Sequence, residues 1–237
     1  ETAIELGARS VQFMDRLSPR NAIIVAAGNA LYTSDMSKVS ELETAVRRYP
    51  DDPEAWFMLA ELYVHLGEAT GATSEDALEA VMRAIELDPG FAPYYVHAID
   101  QNMIVGNIDE ARRLIEHYQT FSGVQTLQKE YVVAMGLYFG DEEERASAWA
   151  EMERLSDLEV QIMWGTFGAW VADAPRTLEI AEYLRSRLGG DGWLSGITRY
   201  LPAVGQVARA EAMARDSIPG GADPRTIYGL HRFGGLD

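Results

Sequence analysis

Apolar residues recur along most of the chain at the spacing of amphipathic helices, with small and large residues alternating within each helix. The clearest stretch runs from Asp52 to Pro89. Its apolar positions are Trp56, Leu59, Ala60, Tyr63, Ala77, Val81 and Ala84. Two antiparallel helices explain this pattern, because small residues let the helices approach and large residues fill the space between them. One such pair cannot bury its own apolar faces, so the pattern predicts an array of helical hairpins.

The pattern recurs at a period of about 34 residues on either side of this stretch. One period upstream, it predicts a helix over 20–33 and a partner helix over 37–49. One period downstream, Tyr95 takes the position of Trp56. Residues 18–123 are therefore predicted to form three repeats in one register.

The second of these repeats contains an insertion between its two helices. Pro53 is predicted to open the first helix and Gly67 to end it, since glycine is favoured just after a helix. Residues 68–73 are then predicted to form a loop, and Ser74 to cap the next helix. This insertion is the main departure from the plain pattern.

The register weakens outside residues 18–123. Residues 1–17 are predicted to be the second helix of a repeat whose first helix lies upstream. Residues 124–218 are predicted to form more divergent helical hairpins, and the glycine- and proline-rich residues 219–237 a loop-rich tail. The fold class predicted for the whole chain is an all-α, right-handed superhelical solenoid.

Composition narrows the functional classes. The formal net charge is −17, which argues against nucleic-acid binding, because phosphate binding requires a basic face. The absence of cysteine excludes disulfides, thiolate metal sites and cysteine nucleophiles. No apolar run approaches the roughly 18–20 residues of a membrane span, so we expect a soluble segment without membrane insertion. Whether that segment is cytoplasmic or extracytoplasmic stays open.

Three stretches carry a family resemblance: residues 48–56 (RYPDDPEAW), 60–67 (AELYVHLG) and 84–93 (AIELDPGFAP). They resemble bacterial tetratricopeptide repeat proteins. Together with the 68–73 insertion, they resemble the C-terminal regions attached to bacterial serine/threonine kinases and related regulators. The sequence has no glycine-rich phosphate loop, catalytic-loop His-Arg-Asp or Asp-Phe-Gly, so the resemblance implies a binding or assembly module rather than phosphoryl transfer.

In such arrays the first helix of each hairpin lines the concave face, which the resemblance implies as the binding surface. The predicted partner-binding residues are Glu54, Phe57, Glu61, Val64, His65, Val96, Asp100, Met103 and Ile104. Acidic residues replace the Lys, Arg and Asn that clamp a peptide carboxylate in some family members. An apolar floor with acidic flanks favours a protein or peptide partner carrying basic and apolar residues.

Catalytic, cofactor and metal sites are not predicted. The four histidines (His65, His97, His117 and His231) look scattered, without a carboxylate or a second histidine at metal-ligand spacing. We therefore expect a non-catalytic interaction scaffold. The alternative is a structural subunit that forms a homo-oligomer or filament through the open ends of the solenoid, since a heterologous contact that does not close propagates.

Overall fold

The computed structural model describes residues 3–121, 123, 127–167, 173–189, 197 and 200–217. Its regular secondary structure in this part of the chain is helical, so the all-α prediction is confirmed. The chain divides into two compact units, residues 1–124 and 125–237. Among the described residues, no helix is both long enough and apolar enough to span a membrane.

The first unit is built from successive helical hairpins. The helices are α1 (Ala3–Val11), α2 (Pro19–Thr33), α3 (Ser37–Arg48), α4 (Pro53–Thr70), α5 (Ser74–Leu87), α6 (Pro93–Val105) and α7 (Ile108–Tyr118), with a 3-10 turn at Met14–Arg16 after α1. Helices α2, α4 and α6 are each the first helix of a hairpin. These first helices also contact one another, α2 with α4 and α4 with α6, so the hairpins stack.

Small side chains form much of the interface between these helices. Alanine allows close approach of two backbones, and the neighbouring Leu, Val and Ile side chains fill the remaining space. The buried alanines of the first unit include Ala27, Ala30, Ala45, Ala60, Ala77, Ala80, Ala84, Ala98 and Ala111.

An aromatic side chain at the start of each of two hairpins ties that hairpin to the preceding turn. The indole nitrogen of Trp56 donates a hydrogen bond to the carbonyl of Pro50 at 3.0 Å. The hydroxyl of Tyr95 donates to the carbonyl of Pro89, also at 3.0 Å. The same contact therefore recurs in consecutive repeats, although the aromatic residue differs.

Residues 68–70 of the insertion extend α4, and residues 71–73 form the connection to α5. Helix α4 continues through Gly67 to Thr70, so the prediction that Gly67 ends it was wrong. The helix ends at Gly71, whose φ of 83° lies in the left-handed region that favours glycine. The amides of Gly71 and Ala72 both donate to the carbonyl of Gly67, which satisfies the end of the helix.

The cap of α5 also differs from the prediction. Thr73, not Ser74, is the N-cap residue, and its hydroxyl accepts a hydrogen bond from the amide of Asp76 at 3.2 Å. The carboxylate of Asp76 accepts a bond from the amide of Thr73 at 2.8 Å. This reciprocal pair is a capping box, which satisfies two amides instead of one and so favours the earlier cap.

The second unit is also helical where it is described. The described helices of this unit are α8 (Gln128–Phe139), α9 (Glu142–Met152), α10 (Asp157–Phe167), α11 (Ala174–Leu188) and α12 (Val207–Ser217), with a 3-10 turn at Pro202–Val204. Helix α8 packs against α9 and α10. The predicted tail, residues 219–237, lies outside the described residues.

One arginine connects the helices of the second unit. Arg187 on α11 donates hydrogen bonds to the carbonyls of Met152 and Leu155 at 3.0 and 2.5 Å. Its guanidinium also contacts the carboxylate of Asp157 at 3.0 Å. A cation at the C-terminus of α9 and an anion at the N-terminus of α10 both suit the helix dipoles.

Candidate functional site

The predicted partner-binding residues of the second and third repeats lie on α4 and α6, the first helices of adjacent hairpins. The exposed and half-buried members of this set form what we call the α4–α6 face: Glu54, Phe57, Glu61, Val64, His65, Val96 and Ile104. Because α4 and α6 are in contact, these side chains belong to one surface of the first unit.

Two members of the predicted set are not surface residues. Asp100 is 7% exposed and Met103 is 2% exposed, so the prediction that both line an open groove was wrong. Polar neighbours satisfy the buried carboxylate of Asp100. It contacts Nδ1 of His97 at 2.9 Å and accepts a hydrogen bond from the side-chain amide of Gln101 at 3.2 Å. Met103 is an apolar core residue.

Four polar side chains meet where α4 contacts α6, and we call Glu61, His65, His97 and Asp100 the histidine–carboxylate cluster. Nε2 of His97 lies 3.2 Å from one carboxylate oxygen of Glu61, and Nδ1 faces Asp100. Nε2 of His65 lies 3.6 Å from the other oxygen of Glu61. The two imidazole rings are nearly perpendicular, with their centroids 5.3 Å apart. The cluster therefore joins two successive repeats.

The contacts of the cluster shift the pKa values of the two rings in opposite directions. Burial by itself lowers the pKa of His97, but hydrogen bonds to Asp100 and Glu61 outweigh that effect and raise the pKa to about 10. Burial, and then the positive charge of His97, lower the pKa of His65. At neutral pH these shifts favour the imidazolium form of His97 and the neutral form of His65.

The expectation that the histidines are scattered was wrong for this pair. His65 follows Glu61 by four residues and Asp100 follows His97 by three, spacings that place each pair on one side of a helix. These spacings are visible in the sequence and were overlooked. The third histidine, His117, instead stacks on Tyr95 with centroids 5.0 Å apart, and His231 lies outside the described residues.

An arginine already occupies the acidic edge of the face at the start of α4. The guanidinium of Arg20 on α2 contacts both carboxylate oxygens of Asp52, at 2.5 and 2.6 Å, and one oxygen of Glu54 at 2.6 Å. The hydrogen bond from Arg20 lowers the pKa of Asp52. Glu54 is therefore partly neutralised within the protein, and it offers a partner less charge than the sequence implies.

Aromatic side chains form the apolar end of the α4–α6 face, to which Phe91, in the turn before α6, also belongs. Tyr94 contacts Phe57 and Phe91, with ring centroids 4.9 and 4.7 Å apart. Phe91 is 44% exposed, a large value for phenylalanine in a packed aromatic group. The sequence analysis missed Phe91 because it lies in the turn before α6, outside the helical positions that were considered.

Comparison with known proteins agrees with this architecture. Residues 41–73, from within α3 to the cap of α5, match a family model described as tetratricopeptide repeat. The chain contains a tetratricopeptide repeat. No curated protein matches the sequence.

Two solved structures are similar to this chain at low identity. The crystal structure of the APC/C hetero-tetramer Cut9–Hcn1 gives a TM-score of 0.57 at 12% identity, covering 98% of this chain and 46% of that chain. The P58(IPK) TPR domain gives a TM-score of 0.39 at 11% identity, covering 91% of this chain and 64% of that chain. The present chain thus spans about half the length of the first of these proteins. At 12% identity the likeness to that first structure concerns the fold alone, and the predicted all-α solenoid of tetratricopeptide-like hairpins is confirmed.

Proposed function

We propose that this chain is a non-catalytic protein-interaction scaffold that binds a segment of a partner protein on the α4–α6 face. Tetratricopeptide solenoids are binding modules because successive first helices present one continuous surface. The observation that carries the proposal is the composition of this face in the first unit. Phe57, which stays partly exposed, lies one helical turn from Glu54, whose side chain is 52% exposed.

The chemistry of the face favours a partner segment with apolar and basic side chains. Phe57 and Phe91 offer aromatic surface to an apolar anchor, and Glu54 offers Arg or Lys a carboxylate that stays half exposed beside Arg20. The net charge of −17 attracts a basic partner at long range and accelerates its association. We therefore expect an amphipathic helix or extended segment with alternating apolar and basic residues.

Selection from a random peptide display library against the full chain tests this proposal. The expected peptides share apolar residues with Arg or Lys, and they bind less tightly as the salt concentration rises. Replacing both Phe57 and Phe91 with Ala is expected to weaken a selected peptide at least tenfold, which corresponds to about 1.4 kcal/mol. Acidic selected peptides would contradict the proposal, as would unchanged affinity for the double variant.

Two controls distinguish a loss of affinity caused by the α4–α6 face from one caused by a change in net charge or by unfolding. Glu86→Lys changes an exposed carboxylate on α5, a second helix, and is expected to leave peptide affinity nearly unchanged. Far-UV circular dichroism and thermal unfolding of each variant confirm that binding is measured on folded protein. An equal loss of affinity in Glu86→Lys and in the double Phe variant would also contradict the proposal.

A second candidate function, self-assembly, is favoured by exposed apolar residues near the N-terminal end of the first unit. Leu6 is 53% exposed, Phe13 is 45% exposed and Leu17 is 36% exposed. Such apolar surface can bury itself against another copy of the chain, and a contact between unlike surfaces propagates into a filament unless it closes.

A further inference from the structure

The histidine–carboxylate cluster contains the donor atoms of a metal site. Glu61, His65 and His97 each offer one ligand atom, and these atoms all lie within 4.8 Å of one another. Two imidazole nitrogens and one carboxylate oxygen form the donor set of many zinc sites that keep a further coordination position open. The three residues come from two helices, so the donor set depends on the packing of α4 against α6.

The separations of the donor atoms are those of a site that a small ion could close. Zinc binds imidazole nitrogen at 2.0–2.1 Å, so neighbouring donors in a tetrahedron lie about 3.3 Å apart. The two oxygens of Glu61 face one ring each, Oε1 at 3.2 Å from His97 Nε2 and Oε2 at 3.6 Å from His65 Nε2, and one donor atom of each residue lies within 4.8 Å of the others. His65 is about half exposed, so its ring has room to turn towards a shared ion.

A supporting hydrogen-bond shell surrounds the buried ligand. Nδ1 of His97 contacts the carboxylate of Asp100 at 2.9 Å, which leaves Nε2 directed towards Glu61 and the donor set. Asp100 is itself held by the side-chain amide of Gln101 at 3.2 Å. A carboxylate on the far nitrogen of a ligating histidine fixes the ring orientation and raises its basicity, an arrangement typical of zinc sites.

We propose that Glu61, His65 and His97 bind one first-row divalent transition-metal ion of the zinc class, with Asp100 orienting His97. Imidazole nitrogen selects these ions over Mg²⁺ and Ca²⁺, which prefer sets composed of oxygen atoms. In the metal-free protein His97 bridges Glu61 and Asp100. A bound ion replaces the proton on Nε2 of His97, which is released to solvent, and the ion then links two successive repeats.

Isothermal titration of the tag-free full chain with Zn²⁺ tests the proposal. The expected result is one ion bound per chain, a higher thermal unfolding temperature when Zn²⁺ is present, and no competition from excess Mg²⁺. Titration with Co²⁺, followed by its visible absorption, reports tetrahedral coordination by nitrogen and oxygen independently of the heat signal.

Single substitutions assign the ligands. His65→Gln removes a half-exposed ligand and Glu61→Gln a mostly buried one, and each is expected to weaken Zn²⁺ binding at least tenfold. Asp100→Asn keeps the shape of the supporting residue and is expected to weaken binding 10- to 100-fold. His117→Gln is the matched control, because it removes an exposed histidine from the same unit but leaves the donor set intact.

Three outcomes would overturn the proposal. The first is the absence of one-site Zn²⁺ binding by the folded wild-type chain. The second is equal affinity in the wild type, His65→Gln and Glu61→Gln. The third is several weak sites that Mg²⁺ displaces, which is the behaviour of scattered surface carboxylates on a protein with a net charge of −17. Circular dichroism of each variant without metal confirms that it is folded.

Discussion

At the residue scale, the contact between Arg20 and Asp52 couples helix capping to the stacking of repeats. The carboxylate of Asp52 accepts hydrogen bonds from the amides of Glu54 and Ala55 at the start of α4, and it also pairs with a guanidinium from α2. One side chain therefore satisfies the N-terminus of one helix and joins it to the previous hairpin.

Substitutions of Asp52 separate these two roles. Asp52→Asn keeps a capping oxygen but removes the charge, and we expect it to lower the free energy of unfolding by roughly 0.5–1 kcal/mol, since the pair is partly exposed. Asp52→Ala removes the cap as well, and its cost is expected to be larger by about 1 kcal/mol. Urea unfolding at neutral pH measures both values. Equal stability of the wild type and Asp52→Asn would contradict this account.

The same pair predicts a pH dependence with a definite sign. Arg20 lowers the pKa of Asp52 in the folded protein below the value of about 3.9 in the unfolded chain. The contribution of the charge is therefore complete above about pH 5, well above the unfolded pKa, and it is lost as the pH falls through the folded pKa. The stability difference between the wild type and Asp52→Asn should stay constant from about pH 7 to pH 5 and shrink below about pH 4. A difference that grows on acidification would contradict this prediction.

Sequence reasoning could not find contacts between residues of different repeats. Pro53 opens α4 as predicted, because the preference for proline at the first helical position depends only on the local backbone. The contact between Arg20 and Asp52 spans 32 residues and depends on how one hairpin packs on the next. The approach of His97 to Glu61 has the same origin.

At the element scale, the second unit contains one helix pair that requires a residue without a side chain. A Cβ atom at Gly136 on α8 would lie 2.7 Å from Cβ of Ala148 on α9 and 3.3 Å from the carbonyl oxygen of Glu144. Two helices that approach this closely leave no space for a methyl group. A Cβ atom at Gly165, within α10, would have no atom of the described residues within 4 Å.

Substitution of these two glycines by alanine is expected to change the free energy of unfolding in opposite directions. Gly136→Ala is expected to lower the free energy of unfolding by about 1–3 kcal/mol through overpacking. Gly165→Ala is expected to raise it by about 0.5–1 kcal/mol, because alanine restricts the unfolded chain and favours the helix. Adding Ala148→Gly to Gly136→Ala should recover part of the loss. Chemical denaturation measures all four proteins, and stabilisation by Gly136→Ala would contradict the close approach.

The end of α4 shows why element boundaries were less predictable than element types. Gly67 and Gly71 are one helical turn apart, and each is a plausible helix terminator by sequence. The structure ends the helix at Gly71, where φ is positive and two amides return to the carbonyl of Gly67. Local sequence does not decide between two such glycines, because both satisfy the preference for glycine at the end of a helix.

At the scale of the whole molecule, the periodic pattern was sufficient to predict the fold class. Repeated hairpins need no long-range information beyond their period, so the apolar and small positions specify the stack. The periodic pattern was not sufficient to predict the functional surface, because the charge that this surface offers to a partner depends on ion pairs within the protein. His97 and Arg20 neutralise carboxylates that the sequence alone presents as free.

Self-assembly is testable on the intact chain. Light scattering coupled to size-exclusion chromatography is expected to show a monodisperse monomer or dimer if the scaffold proposal holds. Large assemblies that grow with protein concentration would favour the structural subunit. In that case Leu6→Asp, which places a charge in the exposed apolar surface near the N-terminal end, is expected to dissolve them.

The most direct test of the interaction proposal is amide hydrogen exchange of the full chain with and without a peptide selected from the display library. The account predicts that the peptide slows exchange mainly in α4 and α6, and that the Phe57→Ala and Phe91→Ala double variant loses this protection. Protection confined to α5 and α7, or to residues 125–237, with α4 and α6 unchanged, would contradict the proposal that the α4–α6 face binds the partner.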